Sequence, residues 1–217
     1  MKKLGSRKCK ECGKVFQKQR PLQSICGFLC AAKQSHKISL RAIEKAKKNR
    51  EKEEKKDIKI LKEGMLTHSD WSGILQVKIN AIARGIDGNF ACISSQRTTG
   101  QWHGGHFFTR QAHPNIRYHL FNIWKQSAQD NTHKSGNITA YLFNLHRLFG
   151  SDFVNNEIMT LDTKYPITKL SIPEIKEKIE ICRSIIKRQE KGEFIAKTTQ
   201  ERIDIRKELN ELIGIYK

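Results

Sequence analysis

Several things are missing from this chain of 217 residues, and each absence narrows what it can be. No apolar run approaches the ~20 residues that a helix needs to cross a bilayer, so no membrane span is expected. The first residues are basic, but no apolar stretch follows them, which argues against a secretory signal. Proline is scarce, at four, and neither proline nor glycine falls between positions 31 and 62. That leaves room for one long helix. Apolar residues make up only 37% of the chain, too few for all of it to sit around one compact core. Carboxylates are absent from Gly88 through Gln129. A stretch without acids avoids repelling phosphate.

What is present is mostly positive charge, unevenly spread. The net charge is +19, and residues 1–63 carry 20 Lys/Arg against 7 Asp/Glu. Residues 64–150 carry 8 against 3, and residues 151–217 carry 13 against 12. Charge gathered at one end suits a polyanion, with nucleic acid the leading partner. An anionic membrane surface competes, but the basic segment lacks the Trp/Phe/Leu-rich face of a helix lying on lipid.

Six cysteines are present, four of them within the first thirty residues. Cys9 and Cys12 form one close pair, Cys26 and Cys30 another. Two such pairs across a short loop can place four thiolates around one structural Zn²⁺, and Gly13 allows the tight turn a knuckle needs. So short a segment has little core, so metal binding would supply much of its folding free energy. Thiols used this way fit a reducing, cytoplasmic compartment better than a disulfide framework does.

The Lys/Glu-rich run from about 31 to 62 favours helix by residue type, and Glu44/Lys48 has helix-stabilising spacing. It reads as a solvated linker or as a phosphate-tracking helix, with Lys45 and Lys48 as candidate DNA contacts. Residues 67–84 form an amphipathic pattern with Trp71, Ile74, Leu75, Ile79 and Ile82 on one side. Phe90–Ile93 reads as a short strand. Helices are expected over 137–149, 151–161, from Ser171-Ile-Pro-Glu174, and from Thr198-Thr-Gln-Glu201. Cys182 falls on an apolar face and reads as a core residue. Four regions result: a four-cysteine zinc module (1–33), a basic helix or linker (34–65), a candidate catalytic domain (66–150) and a helical region (151–217).

Residues 101–137 hold five of the eight histidines. Phosphodiester hydrolysis needs a base for water, a cation for developing charge and a group that aims the base. His106 can be the base, with Asn122 orienting its ring. His103 and Asn131 can hold a divalent cation, Mg²⁺ or Mn²⁺. Arg110 and Arg117 can grip phosphates, and Gly104 and Gly105 would let DNA approach the backbone.

The order Gln101-Trp-His-Gly-Gly-His-Phe, Arg110, Arg117-Tyr, Asn122, Gln126, Asn131, Ser135-Gly-Asn137 and Tyr141 resembles the NinG/Rap family of phage recombination proteins. With the Cys-rich start and charged middle helix, the resemblance covers roughly residues 7–150. It implies an α+β chain, mostly α-helical, with a small ββα-metal (HNH-like) nuclease core and an N-terminal zinc knuckle. It also implies an endonuclease acting on branched recombination intermediates such as Holliday junctions and D-loops, in a phage or prophage protein of the bacterial cytoplasm. By position, His106 matches the water-activating histidine, Asn122 the middle asparagine and Asn131 the last metal ligand. Two departures stand out. Family members commonly have Asp where His103 stands, and many carry a second zinc knuckle. Here Cys92 is kept, but Ser95, Ser127 and Asp130 fill its other three places. One zinc is therefore expected, with apolar packing bracing the motif instead.

The leading expectation is metal-dependent DNA cleavage; a symmetric junction would suit a homodimer. The alternatives are a non-catalytic zinc-containing DNA-binding protein and a scaffold for recombination.

Overall fold

A left-handed residue turns the chain at its start. Gly13 has φ +74°, which a glycine adopts without steric cost. It folds β1 (Ser6–Lys8) back on β2 (Val15–Gln17), antiparallel, with Ser6 opposite Gln17 and Lys8 opposite Val15. The computed structural model describes residues 4–167 and 169–216. They belong to two compact units, Met1–Met65 and Leu66–Lys217.

The first unit continues into α1 (Phe28–Gly64), 37 residues with none buried. At 1.5 Å per residue it runs about 55 Å. Tertiary packing does not hold its middle. Helix-forming residue types and i,i+4 pairs do: Glu44 with Lys48 at 2.8 Å and Arg50 with Glu54 at 3.0 Å. Each such pair adds only a few tenths of a kcal/mol, about 0.2–0.5.

The second unit is built on α2 (His68–Ile86). Thr67 and Asp70 form a capping box at its start, satisfying donors that a helix N-terminus leaves free. Its apolar stripe, Trp71, Leu75, Ile79, Ile82 and Ile86, is buried. The stripe packs against Ile175, Ile179, Cys182 and Ile185 of α6 and Leu209 and Ile213 of α7. α3 (Ile138–Phe149) is followed by α4 (Ser151–Phe153), a π-helical turn (Val154–Ile158) and α5 (Leu161–Lys164). Then come α6 (Ile172–Gln189), capped by Ser171 and Glu174, and α7 (Thr199–Ile213), capped by Thr198. α6 and α7 thus share one core with α2, and residues of 154–161 join a second one in the same unit. Cys182 is fully buried in the first, and burial pushes its thiol up to about 12.

Between these helices lie β3 (Trp102–His106) and β4 (Ile123–Ser127), antiparallel, with Gly104 opposite Lys125 and His106 opposite Ile123. A π-helical turn (Gln129–His133) links β4 towards α3. A second apolar cluster, including Phe107, Phe121, Trp124, Tyr141, Leu145 and Ile158, fills the space around the hairpin and α3. The fold is α+β, mostly helical, with two small two-stranded sheets.

The expected strand at Phe90–Ile93 is a loop. Ile93 N–H reaches the Lys125 carbonyl, but Cys92 N–H closes a local turn on the Arg97 carbonyl, so no ladder forms. The two glycines of β3 also serve a different purpose from the one expected. A Cβ on Gly104 would lie 2.9 Å from Asn80 Cβ on α2, and one on Gly105 would lie 2.0 Å from Gln126 Oε1. They make room for protein, and Gly104 also lines an open cleft. Among the described residues, no helix is long and apolar enough to cross a membrane.

Candidate functional site

The β1–β2 knuckle carries Cys9 and Cys12, the loop after β2 carries Cys26, and the first turn of α1 carries Cys30. Their four sulfurs all lie within 4.8 Å of one another. Cys12 Sγ is 3.7 Å from Cys26 Sγ, which is 3.5 Å from Cys30 Sγ. A tetrahedral Zn²⁺ with bonds of about 2.3 Å spaces its thiolates about 3.8 Å apart, so the set fits one such ion. Knuckle backbone donates to the sulfurs. The hydrogen bond from Cys12 N–H outweighs burial, and together with the N–H groups of Cys26 and Glu11 it lowers the Cys9 thiol to about 6. A thiol so held is ready to bind metal as thiolate. Four sulfurs would leave such an ion no open position, as in a structural site.

In the second unit, the end of β3 opens onto a cleft of about 680 Å³. His106, Arg110, Arg117 and Asn131 line it together, and so do Gln76 and Asn80 of α2. Among the described residues, no carboxylate lines it. His106 Nε2 lies 3.0 Å from the Arg117 carbonyl oxygen. A proton on Nε2 can donate to that carbonyl, leaving Nδ1 with a lone pair. Burial lowers the imidazole to about 4, the carbonyl works against this, and the charges of Arg110 and Arg117 add to the lowering. His106 is therefore neutral at pH 7 with one ring lone pair unprotonated, although the same burial makes it a weak base.

Asn122 does not orient that ring. It is fully buried, and its amide ties the chain after β3 to the chain before β4. Oδ1 accepts from Phe108 N–H at 2.7 Å, and Nδ2 donates to the carbonyls of Phe108 (3.1 Å) and Ile116 (3.3 Å). The Arg117 carbonyl takes the aiming role, because it is the group that reaches the ring while the Asn122 amide is turned to Phe108 and Ile116.

His103 and Asn131 do meet. The Asn131 amide nitrogen is 3.1 Å from His103 Nδ1. A cation there would have to replace this hydrogen bond, with the amide turning its oxygen inward. Neighbouring Asp130 cannot supply the missing carboxylate, because it is 1% exposed and already committed. Ser127 Oγ donates to its Oδ2 at 2.6 Å and Asn137 Nδ2 to its Oδ1 at 3.0 Å. The donor set is thus one imidazole and one amide. That is a poor set for Mg²⁺, which prefers oxygen ligands and usually binds through carboxylates.

The apolar cluster around the hairpin braces the motif, and at the four former knuckle positions a polar brace joins it. Cys92 Sγ accepts N–H groups from Ser95 (3.4 Å) and Ser127 (3.1 Å) and lies 3.4 Å from Asp130 Oδ2. Cys92, Ser95, Ser127 and Asp130 therefore converge as a hydrogen-bonded knot. Burial alone would raise the Asp130 carboxyl, but hydrogen bonds led by that from Ser127 hold it well below the usual carboxylate range.

Two of the remaining histidines of the stretch have other neighbours. His113 faces Asp162 at 2.9 Å, and His119 is buried against Phe121, Tyr165 and Tyr216. Lys45 and Lys48 lie on the exposed α1 of the first unit, with Lys48 paired to Glu44. Sequence reasoning misses Gln76 and Asn80. The signal is slight: two polar residues four apart, each one position past Leu75 and Ile79 of the buried stripe.

Residues 1–193 match the family described as Bacteriophage Lambda NinG protein. A relative named Protein ninG, from Enterobacteria phage H19B, is 36% identical over 170 residues, spanning 71% of this chain and 81% of its own. Its namesake from Escherichia phage lambda is 33% identical over 172 residues, with the same shares. That of Salmonella phage P22 is 34% identical over 158 residues, 65% of this chain and 74% of its own. No solved structure matches the chain.

Proposed function

The chain belongs to the NinG family of bacteriophage proteins, and from that premise we propose that it is a structure-specific DNA endonuclease of phage recombination. Its substrates are branched intermediates, Holliday junctions and D-loops among them. The observation that carries this reading is the acid-free cleft in which His106, Arg110, Arg117 and Asn131 come together. The β3–β4–α3 order, with His106 closing the first strand, is consistent with an HNH-like core.

In this reading Arg110 and Arg117 hold the scissile phosphate and offset its charge. His106, aimed by the Arg117 carbonyl, takes a proton from water at Nδ1. The water oxygen bonds to phosphorus, the P–O3′ bond breaks, and the departing oxygen takes a proton from solvent. A divalent cation held by His103 and Asn131 would supply Lewis-acid stabilisation of that developing charge. The basic first unit adds backbone affinity that weakens with salt.

A second reading, a zinc-containing DNA-binding protein without turnover, is favoured by one fact: the cation pair lacks a carboxylate. One experiment separates the two. The purified chain is incubated with matched linear, flap and four-way DNA, in Mg²⁺ and in Mn²⁺. The nuclease reading expects nicking of branched DNA, and a fall of about 10²-fold or more in His106→Ala with binding retained. Salt-sensitive junction binding with no cleavage in either metal supports the second reading. Equal nicking by His106→Ala removes that histidine from the chemistry.

A further inference from the structure

Gln76 projects from α2 into the cleft, is 2% exposed, and its amide has three polar neighbours. Oε1 accepts from Arg117 Nε at 3.1 Å, Nε2 donates to Asn80 Oδ1 at 2.9 Å, and the same Nε2 lies 3.2 Å from His106 Nε2. His106 Nε2 is also the atom 3.0 Å from the Arg117 carbonyl oxygen. One ring nitrogen therefore faces two opposite demands. The carbonyl needs an Nε2–H, whereas the Gln76 N–H needs an Nε2 lone pair. Gln76 cannot end this conflict by turning its amide, because its NH₂ would then abut the Arg117 Nε–H. The Arg117 guanidinium pins the amide, and the pinned amide competes with the Arg117 carbonyl for the ring.

We propose that Gln76 is a positioning residue that couples the tautomer of His106 to what Arg117 holds. While the guanidinium rests on Gln76, the imidazole divides between its two neutral tautomers. When a phosphate draws the guanidinium away, Oε1 loses its donor and the amide turns. Asn80 turns with it to donate. Oε1 then accepts from Nε2–H alongside the Arg117 carbonyl. The ring proton leaves Nδ1 to water and is replaced from water at Nε2, so Nδ1 presents its lone pair in the whole population only when phosphate is in place. The inference rests on the reading of this cleft as the hydrolytic site and adds a substrate-dependent step to it.

The test reads the ring itself. Nitrogen-15 shifts of His106 are recorded by NMR at neutral pH for the full zinc-loaded chain and for Gln76→Leu, Gln76→Glu and Arg117→Ala. The free wild-type protein is expected to show both nitrogens at averaged values between the protonated and unprotonated extremes. All three variants should move to the Nε2–H pattern. Leucine removes the competing donor, glutamate offers only acceptors, and Arg117→Ala unpins the amide while keeping the carbonyl. Inorganic phosphate should move the wild-type ring the same way and leave the Arg117→Ala ring unmoved. Identical ring shifts in wild type and variants overturn the proposal, as does a wild-type ring already wholly Nε2–H. Failure of Gln76→Leu to fold would leave the other two variants to decide. No cleavage is needed for this measurement, so it can fail while nicking persists, or succeed in a protein that never cuts DNA.

Discussion

The carboxylate of Asp87 and the guanidinium of Arg206 lie 2.7 Å apart with neither side chain exposed to solvent. Asp87 sits just past the end of α2, and Arg206 is on α7. Arg202 joins them, 2.8 Å from the other carboxylate oxygen. The Arg206 guanidinium stacks 3.7 Å over the Trp124 ring and donates to the carbonyls of Leu120 and Ile123. Asn210 Oδ1 accepts from Leu120 N–H. The last helix thereby grips the segment 117–123, whose Arg117 carbonyl holds His106. A near-neutral tail ties down the end of the hairpin that faces the cleft.

Breaking this cluster from one side leaves a buried charge without a partner, which costs about 3–5 kcal/mol. Asp87→Ala strands two guanidinium groups and should lower the thermal midpoint of the second unit by roughly 10 °C or more. Truncation after residue 197 removes both arginines and Asn210 and should leave that unit without a cooperative transition. Circular dichroism melting checks both. A midpoint within a degree or two of wild type for Asp87→Ala would show that the ion cluster does not hold the fold.

The first unit should depend on metal. One Zn²⁺ per chain is expected from elemental analysis, and a strong chelator should cost it the β1–β2 knuckle. The second unit owes nothing to those thiols, so its melting should persist. Cys12→Ser or Cys26→Ser should remove the zinc, since three thiolates and water form a weaker and open site. Two zinc ions per chain would mean that the Cys92 knot also takes metal.

Local signals in the sequence translate well into elements. Thr67/Asp70 and Ser171/Glu174 appear as capping boxes because their chemistry is complete within four residues. The four cysteines converge because their spacing allows little else. The site is harder to read, because its determinants are long-range. The motif order points Asn122 at the ring of His106, yet its bonds go to Phe108 and Ile116; only the folded loop shows that. Gly104 and Gly105 look like room for a ligand and are room for Asn80 and Gln126. Asp87 and the α7 arginines are over a hundred residues apart, and nothing local marks them as partners. At Ser95, Ser127 and Asp130, loss of cysteine implies apolar packing. Ser127, Asp130 and the buried Cys92 sulfur satisfy one another instead, with Ser95 adding its backbone N–H, an outcome that spacing alone does not reveal.

Acid should destabilise the second unit before its carboxylates titrate. Burial lowers His119 to about 3 and His106 to about 4, both below the unfolded value of about 6.5. Between those values the unfolded chain binds protons that the folded chain refuses, so stability falls as pH drops below about 6.5. Each histidine contributes about 1.4 kcal/mol per pH unit in that window. Above pH 7 neither contributes a slope. Denaturant unfolding at pH 7, 6 and 5 reads this directly, and His119→Gln should flatten the slope by about half. A curve equally steep with and without His119 would place the acid sensitivity elsewhere.

The knot around Asp130 makes the final prediction. Its carboxylate accepts from Ser127 and Asn137 while its own N–H donates to Ser127 Oγ at 3.1 Å. The Asp130 carbonyl also accepts from Gly136 N–H. These bonds fix both ends of the π-helical turn that presents Asn131 to His103. Asp130→Ala leaves the donor of buried Ser127 unpaired, at about 1–3 kcal/mol, and removes the partner of half-buried Asn137. Asp130→Asn keeps the shape and one acceptor oxygen, so it should cost less. Hydrogen exchange should show protection lost over residues 127–137 in the alanine variant and largely retained in the asparagine variant. Equal protection in wild type and Asp130→Ala would mean that the turn holds itself, and that Asn131 owes its position to the neighbouring strands alone.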